Sequence, residues 1–294
     1  MVSRENIERE MKRFQRETKD RHKYYEFDTL HEFGDLIKLI HEEKYRSLKC
    51  RNNEYNSTAV HEERSDDCFQ GSKNMKQSIE WLKYGWELGA KKLNEQVKIL
   101  NQNKSISLKY SVIGGQVSVP RMLQGLPTNM INQKIIEKPQ RILNVYKSAG
   151  YIGSYHQKTI INYGAKAVQV VELLESQGYR VNLYVVKLNV NEQRENEEFF
   201  VKVKVKDSSE RLNMKKIAFC LANPSFQRRL FWRMIEACPW LSAEGWSGYG
   251  RSIDAYSKHE MHKNYLKYMP EPNKVFIPIE IDNVEEFVKT IKLV

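Results

Sequence analysis

The stretch 141–206 restricts the fold more than any other part of this chain. Arg141–Tyr146 is a short, largely apolar run that reads as a strand. Residues 156–177 then carry Ile160, Ile161, Gly164, Ala167, Val168, Val171 and Leu174 at helical spacing, and Gly178 stands where a helix C′ position favours glycine. "YRVNLYVVKLNV" follows as a strand with the near-continuous apolar character of one buried on both faces. "FFVKVKVKD" reads as a second strand, joined to it by the polar "NEQRENEE", which is short enough for a hairpin. A strand, a long helix and a strand in this order form a parallel crossover, and the hairpin adds an antiparallel neighbour.

Downstream, the patterns predict helices over 213–222, 225–237 and 255–268, a strand in "KVFIPIEI" and a final helix in "VEEFVKTIKLV". The order β-α-β-β-α-α-α-β-α argues for an α/β fold with a mostly parallel sheet. Upstream, Ile7, Met11 and Phe14 suggest a short charged helix within 1–24, and Leu30, Phe33, Ile37 and Ile40 a second over 27–46. From a Ser cap at Ser72, apolar groups at Met75, Ile79, Leu82, Trp86, Ala90, Leu93, Val97 and Leu100 predict one helix of about seven turns. Leu108, Tyr110 and Val112 alternate as a strand that Gly114-Gly115 interrupts. The expected organisation is a helical N-terminal region, 1–105, leading into an α/β domain, 106–294.

A length of 294 residues suits one large or two ordinary domains. No apolar run approaches the ~18 residues of a membrane span, and the first 25 residues lack the apolar core of a secretory signal. Cys50, Cys68, Cys220 and Cys238 lie far apart with no CxxC spacing, which suits a reducing, intracellular setting. The net charge of +11 suggests a polyanionic partner, nucleic acid above all. The abundance of Lys, Asn and Tyr also fits an AT-rich genome, so charge alone leaves both explanations open.

Two stretches together resemble a family of uncharacterised proteins of tailed bacteriophages. They are "GGQVSVPRMLQGLPTNMIN" (114–132) and the strand, helix and strand of 144–186, with "INYGAKAVQVVELLESQGYRVNLYVV". The second stretch also resembles the core of a von Willebrand factor A-like domain. That resemblance implies a three-layer α/β domain with strand one, helix one, strand two and an antiparallel edge strand, here "FFVKVKVK". It also implies a metal loop of D-x-S-x-S form after strand one. In its place stands "NVYKSAGYIGSYHQK" (144–158), which has no carboxylate and carries Lys147. Mg²⁺ requires hard oxygen ligands and an anionic carboxylate, so no metal and no cofactor is expected.

The candidate contacts are therefore anion-binding. Lys147, Ser148 and Ser154, with Gly150 and Gly153, lie where backbone N–H groups open a helix. Lys202, Lys204 and Lys206 alternate with Val201, Val203 and Val205, placing the lysines about 7 Å apart on one face. They could track a phosphate backbone, or guard a sheet edge against aggregation. "SFQRRLFWR" offers Arg228, Arg229 and Arg233 among Phe231 and Trp232, a pattern shared by single-strand binders and by a core helix with outward arginines. "EGWSGYGRS" presents Trp246, Tyr249 and Arg251 between glycines, as a contact loop or as a loop pinned by its tryptophan.

There is no GxSxG, Walker A, HExxH or kinase signature, and His259 with His262 gives only two potential zinc ligands. The leading expectation is a non-catalytic phage protein binding DNA or RNA, with single strands among the candidate ligands. The alternative is a metal-independent adaptor for a phage or host protein, and an enzyme with an unrecognised site is the third. The expected location is the cytoplasm of an infected bacterium, off the membrane. The oligomeric state is open.

Overall fold

A computed structural model describes residues 4–16, 22–44, 60, 69–97, 108–113, 115–133, 141–151, 155–191, 197–238, 251–252, 265 and 267–291. The chain begins with α1 (Arg4–Phe14), β1 (Gln15–Arg16), β2 (Lys23–Phe27), α2 (Leu30–Glu42), α3 (Met75–Tyr84) and α4 (Glu87–Gln96). A small unit follows, made of β3 (Leu108–Ser111), β4 (Gln116–Val117), α5 (Val119–Leu123) and β5 (Met130–Gln133). The α/β part is β6 (Arg141–Ser148), α6 (Gln157–Ser176), β7 (Tyr179–Asn191), β8 (Glu197–Lys206) and α7 (Met214–Ala222). A π-helical stretch, Phe226–Phe231, continues into α8 (Trp232–Ala237). The chain closes with β9 (Arg251–Ser252), β10 (Lys274–Ile277) and α9 (Val284–Thr290).

The main sheet runs β1-β2-β8-β7-β6-β10, with β9 also paired to β7. β6 is parallel to β7 and to β10, and β8 is antiparallel to β7. The order strand, helix, strand and antiparallel strand is thus present in β6, α6, β7 and β8. β8 is not the sheet edge, however. β2 pairs with it in parallel, from Lys23 opposite Phe199 to Phe27 opposite Val203. The segment His22–Phe27 is too short to show a period between two helical patterns, which hid it from a reading by periodicity. Tyr25 and Phe27 are fully buried there, each contributing about 2 kcal/mol by transfer from water.

Alternation along the strands divides the interior in two. Leu143, Val145, Val181, Leu183, Val185, Phe199, Val201, Val203 and Tyr25 share one core with α1, α2, α3, α4, α6, α7, α8 and α9. Residues of 1–105 and of 106–294 therefore belong to a single core. On the other face Tyr146, Tyr184, Val186, Leu188, Phe200 and Phe276 pack with Tyr265, Tyr268 and Met269. Most of the helix expected over 255–268 lies outside the described residues.

The long helix expected from residue 72 onward is two helices. Asn74, not Ser72, caps α3, its side chain accepting from the Gln77 N–H. Gly85 then takes φ of 90°, where an added Cβ would stand 2.5 Å from that of Lys215. Trp86 N–H donates to the Lys215 carbonyl at 3.0 Å, so the break lets α7 approach. The apolar stripe persists through the break because Leu82, Trp86, Ala90 and Leu93 all stay buried. β10 stops at Ile277, short of the eight-residue strand expected, because Pro278 follows and has no N–H for the ladder.

Candidate interaction site

β6 ends at Ser148, between β7 and β10, where an open α/β sheet usually binds ligands. The groups there are turned inward. Lys147 is 1% exposed; its ammonium donates to the Pro278 carbonyl at 3.4 Å and lies 5.8 Å from the Tyr151 ring centre. Ser148 is fully buried, 3.1 Å from the Tyr265 hydroxyl, and accepts the Gly150 N–H. Tyr151 fixes the loop beyond: its N–H donates to the Gln227 amide oxygen at 2.9 Å and its hydroxyl to the Leu221 carbonyl at 2.7 Å. Ser154 lies outside the described residues. Lys147 and Ser148 thus serve the interior, and neither presents an anion contact to solvent.

The lysine row of β8 is also not a solvent face. A register shift between Leu183 and Tyr184 puts Tyr184 opposite Lys204 but Leu183 opposite Lys206. This bulge turns Lys206 to the helical side, where it pairs with Glu175 on α6 at 2.7 Å and donates to the Val181 carbonyl. Lys202 stays on the other face, 1% exposed, between Glu26 of β2 and Glu271. Its ammonium also lies 5.2 Å from the Tyr184 ring centre. Lys204 alone remains partly open, 3.7 Å from Asp207.

The pairs around Lys202 form a closed network. Burial alone would raise the carboxyl pKa of Glu26, but hydrogen bonds from Lys202 and Arg16 outweigh it and hold the group below its ordinary range. Glu271 is likewise held low: burial opposes ionisation, and Lys202 and the Tyr146 hydroxyl overcome it. Tyr184, stacked on Tyr146 at 4.9 Å, has its pKa pushed up to about 12 by burial. Every strong charge in this network has a partner of opposite sign, so it functions as a clasp across the sheet face.

The arginines are interior as well. Arg228 is 1% exposed, stacked 3.9 Å from the Phe69 ring centre and bonded to the Phe69 carbonyl at 2.5 Å. Arg229 is fully buried and donates to the Ser72 carbonyl at 2.7 Å. Arg233 pairs with Glu236 at 2.9 Å and donates to the Ile40 carbonyl. The expectation of outward arginines fails because the π-helical turn points Arg228 and Arg229 at the 69–72 segment, where backbone carbonyls accept them, while Arg233 of α8 meets the end of α2 and Glu236. Phe231 is core, as one of the two readings had it. Trp246 and Tyr249 lie outside the described residues. Arg251 begins β9, opposite Val190.

An unanticipated surface lies elsewhere. Of eleven large apolar residues exposed among those described, seven fall in the small unit: Tyr110, Val112, Ile113, Val117, Val119, Met122 and Leu123. Ile113 is 81% and Leu123 82% exposed. The unit is a sheet of order β3-β5-β4 carrying α5, which buries none of its own residues. Arg121 braces it, donating from Nε to the Thr128 carbonyl at 2.9 Å and covering the Tyr110 ring at 4.4 Å. A signal was available in the sequence. No Asp or Glu occurs between Glu95 and Glu137, while Lys98, Lys104, Lys109, Arg121 and Lys134 do.

Residues 9–294 match a family model described as "Domain of unknown function (DUF7192)". No curated protein and no solved structure matches the chain.

Proposed function

We propose that this chain, which belongs to the DUF7192 family, is a non-catalytic, metal-independent protein–protein adaptor that presents residues 108–133 to its partner. The observation that carries this reading is the gathering of seven exposed apolar side chains on one small unit. Such a patch on a folded protein marks a contact surface far more often than scattered single residues do. The bacteriophage resemblance makes a phage or host protein inside an infected bacterium the partner to look for. No described helix is long and apolar enough to cross a membrane.

The test is site-specific photo-crosslinking in cells that express the chain, from positions 112 and 123, with position 84 as an exposed control on α3. A discrete protein adduct from 112 and 123, absent from 84 and resistant to nuclease, supports the adaptor. Adducts that vanish with nuclease overturn it.

Nucleic-acid binding is the second reading, favoured by the net charge of +11. Lys202 and Lys206 take Glu26 and Glu175 inside with them, whereas the buried Lys147, Arg228 and Arg229 donate to backbone carbonyls, so only part of the surplus is left to outward groups. Mobility shifts with single- and double-stranded DNA and RNA across a salt series test it. Absence of binding at low salt, or binding indifferent to salt, counts against it.

A further inference from the structure

Resting on the adaptor reading, we infer that the 108–133 arm docks an acidic protein segment bearing aliphatic side chains. Charge complementarity selects this occupant. The arm lies within a run of the chain that has five cations and no carboxylate, so a partner's Asp or Glu would meet no like charge there. The exposed groups are mostly aliphatic: Val112, Ile113, Val117, Val119, Met122 and Leu123.

Other occupants fit this chemistry less well. Bases stack on aromatic rings, and the arm's one exposed ring, Tyr110, is already covered by Arg121. A membrane-inserting surface favours Trp and Phe beside Leu, and residues 108–133 contain neither Trp nor Phe. A second copy of this chain is itself basic at +11, and its arm would bring more positive charge against this one.

The experiment pans the full chain against a displayed library of random peptides on the order of a dozen residues long, the scale of a docking motif. The Val112→Ser/Leu123→Ser double variant is panned in parallel. Recovered peptides should be net negative with two or more aliphatic residues, and should bind the double variant at least about tenfold more weakly. Their affinity should fall several-fold between about 0.05 M and about 0.5 M NaCl, as screened charge requires. Neutral or basic peptides that still need Val112 and Leu123 overturn the acidic partner and leave the adaptor standing. Peptides that bind the double variant equally, or none at all, overturn both. The same two proteins are mixed with phosphatidylglycerol vesicles and with short DNA duplexes, and sedimented alone. Arm-dependent binding to either probe, or arm-dependent self-association, also overturns both.

Discussion

Lys202 on β8 and Glu26 on β2 stand in register across a parallel strand pair, their charged groups 2.5 Å apart. β2 comes from the N-terminal quarter of the chain, so this pair ties that quarter to the sheet. It also explains why a lysine can be 1% exposed: its charge is compensated by Glu26 and by Glu271.

Lys202→Gln should therefore act on stability. It removes the common partner of two half-buried carboxylates, and the expected loss is about 2 kcal/mol, below the range for fully buried pairs because both carboxylates keep some solvent contact. Lys204→Gln should cost no more than about 0.5 kcal/mol, since its pair with Asp207 is open to water. Urea melts of the two variants distinguish them. Equal midpoints would show that the clasp contributes nothing.

Acid should open the same clasp. Glu26 and Glu271 have folded-state pKa values below the ordinary carboxyl value, so the unfolded chain binds protons first as pH falls. Their stabilisation is complete above the unfolded value of about 4.3 and fades as pH drops through the lower folded values. Thermal midpoints from pH 7 to pH 3 should fall steeply near the acid end for the native chain. Lys202→Gln should show a shallower acid slope, and an unchanged slope would assign the acid sensitivity to other carboxylates.

Gly164 on α6 sits against Ala222 of α7, where an added Cβ would lie 2.6 Å from the alanine Cβ and 2.9 Å from the Leu221 carbonyl. Gly164→Ala should destabilise by about 2 kcal/mol through overpacking. Ala222→Gly in the same chain should restore part of this loss, because it clears the alanine Cβ and leaves the residue 222 Cα and the Leu221 carbonyl, each at 2.9 Å. Calorimetric midpoints of the single and double variants check the coupling. Equal losses in both would place the strain entirely on the backbone.

The parts of the fold visible in the sequence were those with a long period. α6 carries its inward face from Ile160 to Leu174 without interruption, and β7 is apolar enough to be recognised as buried. β2 was not visible, because five residues between helices carry too little alternation to outweigh their neighbours. The interior positions of Lys202, Lys206, Arg228 and Arg229 are hidden in the sequence for a different reason. Alternation correctly put Lys202 and Lys204 on one face, but it carries no information about which strand or segment covers that face. Nor does it register the bulge that sends Lys206 to the other side. Arg228 and Arg229 were invisible as interior groups because their partners are backbone carbonyls, which every sequence contains. The arm was legible in principle, through its missing carboxylates.

The arm's exposed residues should matter to binding and hardly at all to folding. Val112 is 68% and Leu123 82% exposed, so replacing both by serine removes little apolar surface that folding hides. The expected stability change is within about 0.5 kcal/mol, the ordinary range for surface substitutions. Phe27→Ala provides the contrast: that ring is fully buried against Phe14 and Phe33, and its loss should cost about 3–5 kcal/mol. Parallel thermal melts with light scattering measure both effects. The double serine variant should melt with the native chain and scatter less on concentration, because it exposes less apolar surface on the arm. A marked fall in its midpoint would show that Val112 and Leu123 pack within the folded chain, and the surface they form would no longer be available to a partner.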